Sequence, residues 1–468
     1  MRPSNQPAAA EDERTSDAEH ARFRERVRVL RVYHGGRNPA HRERERELLA
    51  VGAEVTLAVP AAWPESGSES SLSAESFPIV ELPVDRAGDV NRHAYRETGA
   101  LARLVREVNP DVLDVHEEPF SVAARQWLAA TPATLPIVMY TAQNVDKRFP
   151  PPFAQYERAA HRRAAALYPC SAQAASVARG KGFAGLIDVL PLGYDDALFG
   201  PGSQSLDDDE LVLALIGRFA PEKGVTDAVR LLARVHAVRP TRLVVVGSGP
   251  EEAPARALAA ALGVADRLEL ARWQSAAELA AIYRAVHVVL VPSRPTETWV
   301  EQFGRVIVEA QASGAVVAGY ESGSIPEVAG DTALLADAGD VSHLADRIVN
   351  LVFDPGDFAR RRERGLELSP TRTWARVAER HAELYRRVAA GDVPRVALPR
   401  SPQSRRAAAR AEFGPTASTI AGSRPFAVPL LRRGGPAATA LAAAVDTAGE
   451  LAARVRERRP QDRRTTSR

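Results

Sequence analysis

Two successive runs of short, β-branched apolar segments, each segment separated from the next by a helical or loop stretch, constrain this 468-residue chain most. The first run opens with "VRVLRVYHGG" and passes through "EVTLAVP", "FPIVELPV", "DVLDVHE", "LPIVMYTAQN", "ALYPCS" and "IDVLPLGYD". The Gly, Ser and Asp-rich stretch "GPGSQSLDDDE" interrupts it. The pattern then restarts with "LVLALIGRFAPEKG", "RLVVVGSGPEE", "RLELARW", "HVVLVPS" and "AVVAGYESG". Strands alternating with helices build parallel sheets covered on both faces. The expected fold is therefore α/β, with two doubly wound parallel-sheet (Rossmann-like) domains.

The expected boundaries are a polar, disordered lead-in at 1–26, a first domain at 27–200, a linker at 201–210 and a second domain at 211–370. A closing helix is expected at 371–391, where Trp374, Val377, His381, Leu384 and Tyr385 recur at helical spacing. Beyond it, residues 392–468 read as a basic, low-complexity tail.

Ligands of such sheets bind beyond the carboxyl ends of the strands, so residues there carry the functional reading. In "LIGRFAPEKG" a strand is expected to end at Ile216, which leaves Arg218, Lys223 and Gly224 in a loop that opens a helix. Two cations beside a helix N-terminus suit a phosphate, although solvated loop cations fit the same spacing. Lys223 is the sharper clue, because Lys147, Lys181 and Lys223 are the only lysines and arginine supplies every other basic chain. The pair Gly35 and Gly36 in "YHGGRN" would let a ligand come close to the backbone, or is simply a turn. "VVVGSGPEE" falls short of a dinucleotide loop, since Glu252 stands where a third glycine belongs, and reads as a tight strand-to-helix connection.

"EQFGRVIVE" at 301–309 places a glutamate at each end of an apolar run. On one continuous helix Glu309 would stand about 80° and about 12 Å from Glu301. A carboxylate pair flanking a scissile glycosidic bond is about 5 to 9.5 Å apart, so the spacing argues against hydrolase chemistry. With the helix starting near Phe303 or Gly304, Glu301 falls in the preceding loop and Glu309 in the second turn. The N–H groups of Phe303, Gly304 and Arg305 then face an anion unpaired.

The run "PSRPTETWVEQFGRVIVEAQASG", with its E-x7-E spacing, resembles retaining, nucleotide-sugar-dependent glycosyltransferases of the family 4 type, which have the GT-B fold. "GRFAPEKG", "VVVGSGPE", "SGSIPEV" and "VLPLGYD" match the same family, and the likeness covers about residues 27–391. It implies two domains facing a cleft, with the closing helix packing back on the N-terminal, acceptor-side domain. It also implies that Glu309 holds the donor's ribose, that Glu301 contacts the transferred sugar, and that Arg218 and Lys223 neutralise the diphosphate. The helix N-terminus at Phe303, Gly304 and Arg305 and the backbone at Gly35 and Gly36 would assist. His116, in "DVHEEP", matches the family's active-site histidine facing sugar and acceptor.

Transfer would proceed with retention and without a metal, from a nucleotide-diphosphate sugar to a glycan, lipid-linked or small-molecule hydroxyl. Cell-surface polysaccharide or glycolipid synthesis is the setting this implies. A nucleotide-sugar epimerase and a non-catalytic carbohydrate-binding scaffold are the competing readings. Two departures from the family stand out: Gln302 replaces the usual glycine after the first glutamate, and Gln143 replaces a common histidine.

Composition narrows the setting. Cys170 is the only cysteine, which excludes an intrachain disulfide and fits a small buried hydrophobe. The "DDD" run at 207–209 falls in the linker and reads as solvated rather than metal-binding. No apolar run approaches the ~20 residues of a membrane span, and the N-terminus lacks the apolar centre of a secretory signal, so a cytoplasmic location is expected. From Arg395 onward 15 arginines face 5 acidic residues, so the tail carries +10 and the body before it −8. Leu441, Val445, Ala448, Ala452 and Val455 form a stripe ahead of "RERRPQDRR". It fits peripheral contact with the inner face of an anionic membrane, or a solvated tail; no nucleic-acid partner is expected.

Overall fold

The computed structural model describes residues 26–64, 72–272 and 274–414. The expected lead-in and the Leu441 to Val455 stripe lie outside them.

The first domain contains β1 (Arg28–Val32), α1 (Glu43–Ala50), β2 (Glu54–Pro60), β3 (Ile79–Leu82), the short β4 (Val84–Asp85) and β5 (Ala94–Tyr95), and α2 (Thr98–Val108). It continues with β6 (Val112–Val115), α3 (Val122–Ala130), β7 (Ile137–Thr141), α4 (Phe153–Arg163), β8 (Ala166–Pro169), α5 (Ala172–Gly180) and β9 (Leu186–Ile187). Seven of these strands form one parallel sheet, ordered β3-β2-β1-β6-β7-β8-β9. The antiparallel pair β4 and β5 stands apart from it.

The second domain contains β10 (Leu211–Ile216), α6 (Val225–His236), β11 (Thr241–Val246), α7 (Glu252–Ala261), β12 (Leu268–Ala271), α8 (Ala276–Ala285) and β13 (Val288–Val291). After these come α9 (Arg305–Ala312), β14 (Val316–Tyr320), α10 (Ile325–Ala329), β15 (Leu334–Ala336), α11 (Val341–Val352) and α12 (Pro355–Leu368). Its six strands, all parallel, run β12-β11-β10-β13-β14-β15. Every residue of "LVLALI" in β10 is buried, as a central parallel strand requires. In α6, Val225, Ala228, Val229, Leu232 and Val235 repeat every three or four residues and are all buried, which seats this helix on the sheet.

α13 (Trp374–Ala389) returns to the first domain and packs against α1, burying Val377, His381, Leu384 and Tyr385. At the crossing, Tyr194 N–H donates to the Arg372 carbonyl at 3.2 Å and Trp374 N–H to the Tyr194 carbonyl at 3.0 Å. The outgoing and returning passages of the chain therefore run side by side. The linker is stitched down as well: Gln204 Nε2 donates to the carbonyls of Tyr283 (3.0 Å), Val286 (3.1 Å) and Ser313 (3.2 Å).

Two features differ from the sequence reading. A helix, α14 (Pro402–Phe413), lies within the stretch read as low-complexity tail and docks on α5. Arg406 Nε reaches Asp146 at 2.6 Å, and Arg179 is held by Glu412 at 3.1 Å. Its composition hides it, because only Ala409 is fully buried there. Of "IDVLPLGYD", only Ile187 belongs to a strand, the two-residue β9, and the rest leads to the crossing.

Candidate active site

Gly304, at φ +83°, is the N-cap of α9 and has no side chain with which to occupy the first N–H groups of that helix. Glu301 precedes the helix in a loop and is buried; Glu309 lies in its second turn, buried too. Phe303 packs its side chain into the core of the second domain and offers a ligand no more than its backbone.

The Glu301 carboxylate accepts from Lys223 Nζ and from Ser293 Oγ, each at 2.7 Å. Lys223 also sits 4.8 Å over the Trp299 ring. Glu309 belongs to a different set: Tyr283 O–H donates to it at 2.9 Å, and Arg305 Nε lies 3.1 Å away. Arg218 follows β10 with a side chain 62% exposed, and Glu222 holds it at 3.4 Å. A charged cavity of about 620 Å³, walled by Glu222, Asp227, Arg230 and Arg294, lies beside this loop and is lined by none of Arg218, Lys223, Glu301 or Glu309.

The two domains meet along the loop that carries Glu301. Asn144 Nδ2 donates to the Glu301 carbonyl at 2.7 Å, and Gln302 Nε2 donates to the Ala142 carbonyl at 3.1 Å. Ala172 N–H, at the start of α5, donates to Glu327 at 2.7 Å, and Gln173 Nε2 to the Gly323 carbonyl at 2.7 Å. A Cβ on Gly323, at φ +55°, would come within 2.1 Å of the Glu301 carbonyl oxygen, so the loop fits only against glycine. Gln302, read from sequence as a departure near the sugar, thus reaches the opposite domain. Gln143 folds onto its own loop, donating to the Val145 carbonyl at 2.8 Å. Cys170 lies in the same seam; burial pushes its thiol up to about 12, which leaves it unreactive.

On the first domain His116 directly follows β6, with its ring stacked on Tyr140 (centroids 4.0 Å) and edge-on to Tyr33 (4.4 Å). Burial, then the charges of Arg31, Arg44, His34 and His381, hold its pKa well below the usual histidine range. Gly35 and Gly36 sit buried in the turn His34–Arg37. One expectation is corrected here: the Gly36 N–H donates to the Tyr33 carbonyl at 3.2 Å and is not free for an anion. A Cβ on Gly35 would lie 2.6 Å from the Tyr33 ring, so ring packing also demands glycine.

Sequence reading passed over Glu117, Asn144 and Asp114. Glu117 accepts from the His34 backbone N–H at 2.9 Å and lies 2.8 Å from His34 Nδ1, beside Trp63 and His93. Its place next to His116 in "DVHEEP" was the available signal.

Known proteins match this arrangement on both halves. The model described as Glycosyltransferase Family 4 matches residues 42–198, and the one described as Glycosyl transferases group 1 matches 201–367. A D-inositol 3-phosphate glycosyltransferase of Segniliparus rotundus is 39% identical over 157 residues, 31% of this chain and 34% of that protein. Its namesake from Stackebrandtia nassauensis is 37% identical over 213 residues, 41% of this chain and 47% of that protein. The chain thus spans about a third to a half of the length of these curated relatives. Among solved structures, sucrose-phosphate synthase from Thermosynechococcus elongatus superposes with a TM-score of 0.62 at 20% identity, over 78% of this chain and 100% of that one. Anabaena HepE, solved with UDP and glucose, gives 0.57 at 17% identity, over 76% and 99%. With one family model on each domain and the two-sheet GT-B fold carrying both, the chain belongs to the family 4 type of glycosyltransferases.

Proposed function

We propose that this chain moves a sugar from a nucleotide-diphosphate sugar to an acceptor hydroxyl, with retention of anomeric configuration and without a metal. The observation that carries the reading is the meeting of Lys223 with Glu301 in front of the uncapped N-terminus of α9. In this reading Lys223, Arg218 and the helix N-terminus stabilise the charge that grows on the departing diphosphate, usually the largest catalytic term in such sites. Glu301 takes hydroxyls of the transferred sugar and Glu309 those of the ribose. Gly35 lends its backbone, and His116 faces the sugar and the attacking hydroxyl.

The acceptor in this proposal is a glycan, a lipid-linked group or a small polyol, the last because the relatives are named for D-inositol 3-phosphate. A role in cell-surface polysaccharide or glycolipid synthesis is part of the same proposal. A panel of nucleotide sugars tested by thermal shift, followed by product analysis with the donor that binds, tests it. A donor that stabilises the fold and yields a new glycosidic bond is the expected result. Absence of stabilisation by every nucleotide sugar would overturn the reading, and a rearranged donor would make the chain an epimerase.

A further inference from the structure

A fully buried polar network lies behind His116. Asp114 of β6 and Arg31 of β1 are direct partners in the strand register, and Arg31 is ion-paired to both Asp114 and Glu45. Asp114 also accepts from Tyr168 O–H at 2.5 Å and from Tyr385 O–H, on α13, at 2.6 Å. The Tyr168 oxygen lies 3.0 Å from His116 Nδ1 and 3.2 Å from Arg31 Nη1. A phenol has one proton to give. Tyr168 spends it on the Asp114 carboxylate, so toward His116 it can only accept, and Nδ1 must carry the hydrogen. His116 Nε2 then holds a lone pair, and it has no partner among the described residues.

We propose that Tyr168 and Asp114 are positioning residues that lock His116 in its Nδ1–H tautomer, so that Nε2 presents a lone pair to a hydroxyl in the cleft. The ring cannot swing away, because Tyr140 covers one face and Tyr33 closes on it edge-first. The groups around it agree on a neutral ring: Arg31 on β1, Arg44 on α1, His34 beyond β1 and His381 on α13 all oppose a second proton. A neutral acceptor nitrogen favours a hydroxyl and gives nothing to a phosphate or carboxylate. The inference rests on the reading of His116 as facing substrate, and names what that histidine can recognise.

The test is ¹⁵N NMR of the imidazoles in the full chain, with His116 assigned by its loss in His116→Gln. The expected pattern is a protonated Nδ1 and a bare Nε2, unchanged as the pH is lowered through the usual histidine range. In Tyr168→Phe the Nε2–H form should appear, kcat/KM should fall about tenfold, the worth of one ~1.4 kcal/mol hydrogen bond, and the donor KM should stay constant. A wild-type His116 that is charged, or protonated at Nε2, would overturn the proposal; so would an unchanged tautomer in Tyr168→Phe. The wild-type spectrum decides the matter even if that variant fails to fold. Nucleotide binding, read by thermal shift on the same samples, reports on the donor site alone, so failure there is separable from failure of the tautomer.

Discussion

Lys223 Nζ lies 2.7 Å from Glu301 Oε2, so two groups assigned to different parts of one donor hold each other. The pair keeps both side chains ordered and partly desolvated, which spares part of the ordering cost when a ligand takes over. It also means that neither residue can be changed without leaving the other with fewer partners.

Lys223→Ala and Arg218→Ala should each lower kcat by about 10²- to 10³-fold, the usual loss when one preorganised charge-stabilising donor is removed. Circular dichroism should show an intact fold for both, since Arg218 stands on a loop and Lys223 ends a single 3-10 turn. Near-normal turnover in both variants would sink the diphosphate assignment.

Gln302→Gly restores the residue usual in the family and removes the hydrogen bond to Ala142. Loss of one such bond is worth about 1 kcal/mol, which is about fivefold in the ratio of the joined to the parted arrangement of the seam. The variant should therefore show a kcat/KM lower by up to about fivefold and a larger radius of gyration by X-ray scattering. Asn144→Ala removes a shorter bond across the same seam, to a Glu301 carbonyl that keeps the Ser324 N–H at 2.9 Å, and should cost about as much. Equal scattering and kinetics in all three proteins would rule out a role for the seam.

Glu309→Gln should raise the donor KM about tenfold or more while kcat changes little, the signature of an interaction made equally in ground and transition states. Tyr283→Phe serves as its control. It removes the phenol that orients this carboxylate and should weaken donor binding in the same direction by a smaller factor. A large kcat effect with constant KM would contradict a ribose contact.

His161 in α4 is buried against Phe183, and burial lowers its pKa from 6.5 to about 3. The unfolded chain takes up this proton near pH 6.5 and the folded chain only far below, so acidification favours unfolding across that window. By pH 5 the term amounts to about 2 kcal/mol. Glu43 works the other way: burial raises its carboxyl to about 7, so its contribution grows as the pH falls toward 4.5. The difference isolates the histidine. Denaturant titrations of His161→Gln and wild type should show the variant gaining about 2 kcal/mol relative to wild type between pH 7 and pH 5. A constant difference across that range would contradict a buried neutral histidine.

The parallel strands were readable because a strand covered on both faces is apolar throughout, as "LVLALI" is. The loops after β10 and β13 were readable as candidate sites because Arg218, Lys223 and Glu301 follow fully apolar strands. The network behind His116 was not, since Asp114 meets partners 54 and 271 residues away. Its one local trace was a charge in the middle of each of two apolar strands, Arg31 in "RVLRV" and Asp114 in "VLDV". The seam escaped for a related reason: Asn144 and Gln302 act through backbone carbonyls, and an acceptor carbonyl carries no side-chain signature. The helix Pro402–Phe413 was concealed by a buried face made of little more than alanine.

The lacing of Tyr194 to Arg372 and Trp374 has a mechanical meaning. A domain tied to its neighbour by one strand of chain can swivel freely, but one tied by two adjacent strands behaves like a door on two pins. Gly193 lets the pins sit close, since any side chain there would strike Trp374 at 2.6 Å. Rotation is then confined to a single axis along that strap. Any turning of one domain against the other would pivot on that strap and carry Glu301 along a single arc.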